Sequence, residues 1–323
     1  MTEARKLEEG LEYIRNAEKS LKTGLLKWRP DYDVAADEYS RAATCFQVAK
    51  SYQKCYDCLM KASDCHKQNR SWFHAAKNLE QAILICKDLG DLREIPHLAE
   101  KSASLYQQYG SPEAAATVLN KAAKLLEQNN AEEALRLYQH AADVAMIEDN
   151  NKQAAEYVSK SARILIKLKQ YDQAADAIRR EIGLHQQSES LQSIGRLAVA
   201  LVLVQLARED YVAAEKAFKE WGNCCDAPEV QTLEALIQAY DEEDPDAARA
   251  ALNSPFIKHM DVEYARLARD LPLPKGISLP APSSVRPNAA PSYVSPNAPV
   301  TSSGSSGQPT GGNEDDEEEG GLC

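Results

Sequence analysis

The sequence predicts an all-α fold: a right-handed solenoid of antiparallel helix hairpins, ended by a helical cap and followed by a disordered acidic tail. Three observations carry this expectation. Small residues recur about every twenty positions, each close behind an aromatic or turn-forming residue. Gly, Pro and Ser punctuation falls between the copies. The composition then shifts abruptly to Pro, Ser and Gly near residue 272.

The clearest copies are Tyr32-Asp33-Val34-Ala35-Ala36, Phe73-His74-Ala75-Ala76, Ser111-Pro112-Glu113-Ala114-Ala115, Gln153-Ala154-Ala155, Tyr171-Asp172-Gln173-Ala174-Ala175 and Tyr211-Val212-Ala213-Ala214. Weaker copies at Tyr52-Gln53-Lys54-Cys55, Glu94-Ile95, Glu132-Glu133-Ala134 and Ser193-Ile194 fill the gaps. Two such units make a helical hairpin of about forty residues, and hairpins that bury one another's apolar faces stack into a solenoid. The recurrent Ala has a packing reason. It is the best helix former, and its small side chain lets two helix axes approach to about 8 Å.

The first helix is expected from about residue 3 to Thr23, with Leu7, Leu11, Ile14, Ala17 and Leu21 on one face and Gly24 ending it. Leu25 to Asp31 reads as a loop, because Pro30 cannot continue a helix and Pro-Asp is turn chemistry. Helix pairs follow to about Trp221, punctuated by Gly90-Asp91, Gly110-Ser111-Pro112, Gly183 and Gly222-Asn223. After Tyr171, the residues Ala174, Ala175, Ile178 and Ile182 line one stripe, as a packed hairpin requires. Residues 1–222 are thus assigned to the solenoid and 223–271 to a helical cap. The cap includes a helix carrying Leu233, Leu236 and Tyr240, and a second helix opened by Asp244-Pro245. Residues 272–323 are expected to be disordered: nine of the fifteen Pro lie after residue 270, and large apolar residues are scarce there. From Pro272 to Asn313 the reach is about 35 Å. That stretch leads into the acidic run Glu314 to Glu319 and ends Gly320-Gly321-Leu322-Cys323.

A net charge of −12 argues against bulk attraction to nucleic acid. Eight Cys without a disulfide-like spacing, and no secretory signal after Met1, give the expectation of a reducing, cytoplasmic setting. The longest apolar run, Leu197 to Val204, falls far short of the roughly 20 residues a spanning helix needs.

Catalytic and metal constellations are not found. Cys55, Cys58, Cys65 and His66 resemble a zinc set only in spacing. On one helix they spread over about 15 Å of axis, whereas tetrahedral ligands must all lie about 2.0–2.3 Å from one point. They read as buried structural residues, and Cys224-Cys225 as an inert vicinal pair. The sequence has no P-loop, no His-Glu-x-x-His and no Gly-x-Ser-x-Gly. No metal, cofactor or enzymatic activity is expected. Two features ask for more. In Leu25-Leu26-Lys27-Trp28-Arg29, large apolar residues interleave with cations, which suits an anionic membrane surface; the alternative is that they fold back on the first two helices. Inserting about 300 Å² would contribute at most about 7 kcal/mol before ordering costs, so firm attachment needs several copies. The second feature is Leu322, since an acidic tail that only solvates has no use for a Leu beside its last residue.

The stretch Leu21 to Asp33, the Ala-paired hairpins and the Gly-Gly-Leu-Cys ending resemble the family of soluble N-ethylmaleimide-sensitive factor attachment proteins, the SNAP family, and within it the gamma branch. The likeness covers about residues 5–270 and the last ten. The hairpins alone are shared with every tetratricopeptide-like solenoid, although the usual 34-residue signature is absent. The resemblance implies a non-enzymatic adaptor. It would lie along the four-helix SNARE bundle, of syntaxin type, and recruit the hexameric AAA+ ATPase NSF, with several copies per assembly and peripheral attachment on the cytosolic face of membranes. It further implies that Leu25, Leu26 and Trp28 form the membrane-attachment loop and that Leu322 stimulates the ATPase. Lys160 would contact the SNARE bundle, with Lys121, Lys124, Arg163 and Lys167 as neighbours. One departure is the long stretch that separates Leu322 from the folded part. On the residues alone, a peptide-clamping scaffold stays open as a second reading, and a helical-repeat enzyme subunit as a third.

Overall fold

The computed structural model describes residues 3–23 and 28–275. The expected end of the first helix at Gly24, the residues Leu25 and Leu26, and the whole acidic tail with Leu322 lie outside the described residues. The helices are α1 (Glu3–Leu21), α2 (Tyr32–Val48), α3 (Tyr52–Gln68), α4 (Trp72–Leu89), α5 (Ile95–Tyr109), α6 (Pro112–Leu126), α7 (Ala131–Ile147), α8 (Asn151–Lys167), α9 (Tyr171–Gln187), α10 (Leu191–Ala207) and α11 (Tyr211–Trp221). After a 3₁₀ turn at Gly222–Cys224 come α12 (Ala227–Asp241), α13 (Pro245–Leu252), α14 (Pro255–Lys258) and α15 (Val262–Asp270).

The twenty-residue period is set by the links. At the end of α2, Lys50 takes a left-handed backbone (φ 53°). Its N–H then reaches the Gln47 carbonyl at 3.0 Å, and the Ser51 N–H reaches that of Phe46 at 2.8 Å. This bond pair is the Schellman stop, which satisfies carbonyls that a helix end leaves open. Ser51 is already the N-cap of α3, so one residue closes a helix and the next opens another. The same stop recurs at Arg70, Gly90, Gly110, Asp149, Lys169, Glu189 and Glu209. Only glycine adopts that backbone without steric cost, and Gly90 and Gly110 do so at φ 75° and 87°. N-caps complete the links: Asn150 Oδ1 accepts from the Gln153 N–H at 3.2 Å, and Asp210 Oδ1 from that of Ala213 at 2.9 Å.

From α1 to α11 each helix packs on the next, and α4 also touches α6 across the intervening helix. This sequential pattern is the tetratricopeptide-like stack of hairpins. The paired Ala sit on its seams: Ala35, Ala36, Ala75, Ala76, Ala115, Ala116, Ala154, Ala155, Ala174 and Ala175 are all buried. Gly10 lets α1 approach in the same way, since a Cβ there would meet the Phe46 ring at 2.9 Å. The expected stripe Ala174, Ala175, Ile178 and Ile182 is buried.

Three local expectations are corrected. The first helix stops at Leu21, two residues early. Leu11 is exposed, because Gly10 faces Phe46 and turns its neighbour toward solvent. Gly183 is no punctuation; it lies inside α9, whose stop is Glu189.

After α11 the helices shorten. α12 packs on α10 and α11, α13 and α14 pack on α12, and α15 returns to lie on α8 and α10. Cys45, Cys55, Cys58, Cys65 and Cys86 are buried free thiols in the α2–α4 part of the core. Burial pushes the Cys55 thiol up to about 12 and those of Cys58 and Cys86 to about 11. His66, also buried, is shifted down, by desolvation first and by His74 second.

Candidate functional site

Five cations predicted to act together lie on two helices, Lys121 and Lys124 on α6 and Lys160, Arg163 and Lys167 on α8. The spacing of the last three, i, i+3 and i+7, puts them on one helical face. Four of the five line one cleft of about 250 Å³: Lys124, Lys160, Arg163 and Lys167, together with Glu127, Gln128, Tyr138 and Glu263.

Lys160 has the most partners of them. Its Nζ donates to Asn120 Oδ1 at 2.9 Å and pairs with Glu156 Oε1 at 2.6 Å. It also sits 5.6 Å from the centre of the Tyr138 ring and 5.5 Å from that of Tyr157, in cation–π range. Tyr138 in turn donates its hydroxyl to Glu127. Burial raises the Tyr138 phenol, and that carboxylate raises it further, so the hydroxyl keeps its proton. Arg163 Nη1 reaches Asp261 Oδ2 at 2.9 Å, a partner 98 residues away at the start of α15. Lys167 Nζ lies 3.4 Å from the Glu127 carbonyl oxygen. Lys124 has no ion-pair partner among the described residues.

Lys121 stands apart. Its Nζ pairs with Glu80 Oε1 on α4 at 2.8 Å, while Lys77 and the Tyr106 hydroxyl hold the other oxygen at 3.0 Å each. It ties two hairpins together and does not line the cleft. The cleft's cations offer several N–H donors over aromatic faces, which is chemistry for partner carboxylates.

Sequence reasoning missed Glu127, Tyr138, Asp261 and Glu263. The period held a signal for one of them. Lys160 bonds Asn120 and Lys167 bonds Glu127, each forty residues back, because helices two units apart lie side by side. Asp261 has no such register with Arg163, since it arrives from outside the repeat.

At the other predicted site, Trp28 is 88% exposed. The reading in which the loop folds back on α1 and α2 therefore fails for Trp28. The Asp31 N–H bonds the Ser20 carbonyl at 3.0 Å and draws the two sides of the loop together. Among the described residues no helix is long and apolar enough to cross a membrane.

The model of the soluble NSF attachment protein (SNAP) family matches residues 8–254. The chain is 27% identical over 282 residues to a gamma-soluble NSF attachment protein of Dictyostelium discoideum, covering 86% of this chain and 87% of that one. It is 25% identical over 262 residues to a gamma-soluble NSF attachment protein of Arabidopsis thaliana, covering 80% and 90%. An alpha-soluble NSF attachment protein of Vitis vinifera is 28% identical over 245 residues, covering 74% and 84%. A match that runs through the stacked hairpins, including both cleft helices, places this chain in the soluble NSF attachment protein family.

Proposed function

We propose that the chain is a non-enzymatic adaptor in SNARE disassembly. It lies along the post-fusion four-helix bundle, of syntaxin type, and recruits the hexameric NSF ATPase in vesicle-mediated transport. The observation that carries this reading is the convergence of Lys124, Lys160, Arg163 and Lys167 on one cleft, in a chain of this family. Coiled-coil bundles carry charged residues along their outer positions, and rows of carboxylates there would meet these donors. Stacked hairpins suit the mechanical side, because each unit is braced by its neighbours and can pass force along the stack. Several copies on one bundle would multiply weak contacts.

Membrane contact falls to the loop, with exposed Trp28 joined by Leu25 and Leu26, on the cytosolic face. Leu322, carried on the tail, is assigned to stimulation of the motor. The test is ATPase-driven disassembly of an assembled SNARE bundle with this protein as the sole adaptor. Release of the separate SNARE chains is expected; an intact bundle after ATP turnover would overturn the proposal. In the same system, Leu25→Ser with Trp28→Ser is expected to lower liposome co-sedimentation at unchanged helical content.

A further inference from the structure

The cationic cleft is closed on one side by α15, the last helix among the described residues. We infer that α15 is a built-in competitor for this cleft: Asp261 and Glu263 occupy the place of a partner's carboxylates, and release of α15 from α8 and α10 unmasks the full cationic set. The identity of the natural partner rests on the adaptor reading above; the competition does not.

Three observations meet here. Asp261 takes Arg163 at 2.9 Å, and Glu263 lines the same cleft as Lys124, Lys160 and Lys167. With α15 seated, the four cations face four carboxylates, Glu127, Glu156, Asp261 and Glu263. Half of those negative charges belong to α15. A partner helix rich in carboxylates meets a nearly neutral cleft while α15 is seated and a cationic one after it leaves.

The second observation is how α15 is held. Its buried side chains are only Tyr264, Leu267 and Ala268. Beneath it, a cavity of about 170 Å³ is lined by Tyr264, Glu181, His185, Ser159 and Ser193, among others. There Tyr264 Oη, Glu181 Oε2 and His185 Nδ1 are buried without a hydrogen-bond partner among the described residues. Tyr264 and Glu181 are only 3% and 5% exposed. The cavity is polar and roomy enough for water, so these groups supply no protein–protein hydrogen bond that ties α15 down. The seat under α15 therefore favours exchange over permanent docking.

The third observation is the hinge. α15 is joined on its N-terminal side by α14, a helix of four residues. On its C-terminal side it is tied by buried Leu271 and by the Tyr240 hydroxyl, which donates to the Pro272 carbonyl at 2.8 Å. Leaving α8 costs that anchor but none of the hydrogen bonds within α12 or α13. Asp261 is also the N-cap of α15. Its side chain makes no capping bond and goes to Arg163 instead, so Asp261→Asn removes the charge without taking a cap from the helix.

The experiment uses the full chain and poly-L-glutamate as a probe, with binding read by fluorescence anisotropy at low salt. Asp261→Asn with Glu263→Gln is expected to tighten binding about fivefold over wild type. Glu8→Gln with Glu12→Gln removes the same charge from α1 and is expected to change affinity by less than half that factor. In wild type, saturating poly-L-glutamate is expected to speed hydrogen exchange of the α15 amides and leave those of α9 unchanged. A double variant no tighter than the α1 control, α15 exchange that stays constant, or no binding of the probe to any form would each overturn the inference. Failure of an assembled SNARE bundle to bind, with poly-L-glutamate behaving as expected, would instead count against the adaptor reading and leave the competition standing.

Discussion

The link between α8 and α9 and the link between α6 and α7 join equivalent helices across the same period, yet they close differently. In the first, Lys169 adopts φ 59°, and the N–H groups of Lys169 and Gln170 reach the Ile166 and Leu165 carbonyls at 2.9 Å each. The helix end is sealed at the cost of one side chain in a left-handed backbone, about 1–2 kcal/mol. In the second, α6 stops at Leu126 and the four residues Glu127–Asn130 follow, none with positive φ. The N–H groups of Asn129 and Asn130 both turn to the Leu126 carbonyl, at 3.0 and 2.7 Å. That leaves the Glu127 carbonyl to Lys167 and the Glu127 carboxylate to Tyr138. Regular links hide their polar groups, whereas the irregular one turns them toward the cleft.

The largest effect is expected where the irregular link is anchored. Leu126 is buried at the end of α6, and Leu126→Ala should cost about 2–5 kcal/mol, read from the urea midpoint. A much smaller loss would mean that the link, not the core beneath it, positions Glu127. Next in size is a contrast of two lysines. Lys160→Glu places a carboxylate inside the cleft and should weaken SNARE-bundle binding about tenfold. Lys121→Glu, outside the cleft, should weaken it less than about twofold. Equal losses would dissolve the distinction between them.

A gain of stability tests the regular links. Lys169→Gly relieves the left-handed strain and should raise stability by about 1 kcal/mol, whereas Asn129→Gly, where no such strain exists, should not. Thermal denaturation of the two variants decides it. The smallest expected effect depends on pH. Burial pushes the Glu80 carboxyl up, but hydrogen bonds from Lys121, Lys77 and Tyr106 outweigh it and hold the group below the ordinary carboxylate value. A lowered folded value stabilises the protein above the unfolded value of about 4.3, and that contribution is lost as pH falls through the folded value. Glu80→Gln should therefore cost about 0.5–1 kcal/mol near pH 7 and almost nothing near pH 2, in paired urea titrations.

The stack was legible in the sequence because packing repeats: an Ala pair must recur wherever two axes come close, so Tyr171 to Ala175 already shows the seam. The stops were half legible. Gly90 and Gly110 announce themselves, but Lys50, Arg70, Lys169 and Glu189 take the same backbone with side chains that give no sign of it. Conversely, Gly183 looks like a stop and lies in mid-helix. For the cleft, the i, i+3, i+7 cations of α8 were readable and their partners were not. Asp261 meets Arg163 only because α12 to α14 carry the chain back onto α8, and no local pattern encodes that return.

The five core thiols of α2–α4 turn the first hairpins into their own reporter. A maleimide reacts with thiolate, and burial keeps these groups both protonated and out of reach. Among the cysteines of the described residues, the partly exposed Cys224 should be modified first, and alkylation of Cys55, Cys58 and Cys86 should wait for the local stack to open. The rate of that slow alkylation would count excursions of the first hairpins from their packed state, with no substitution made in the chain.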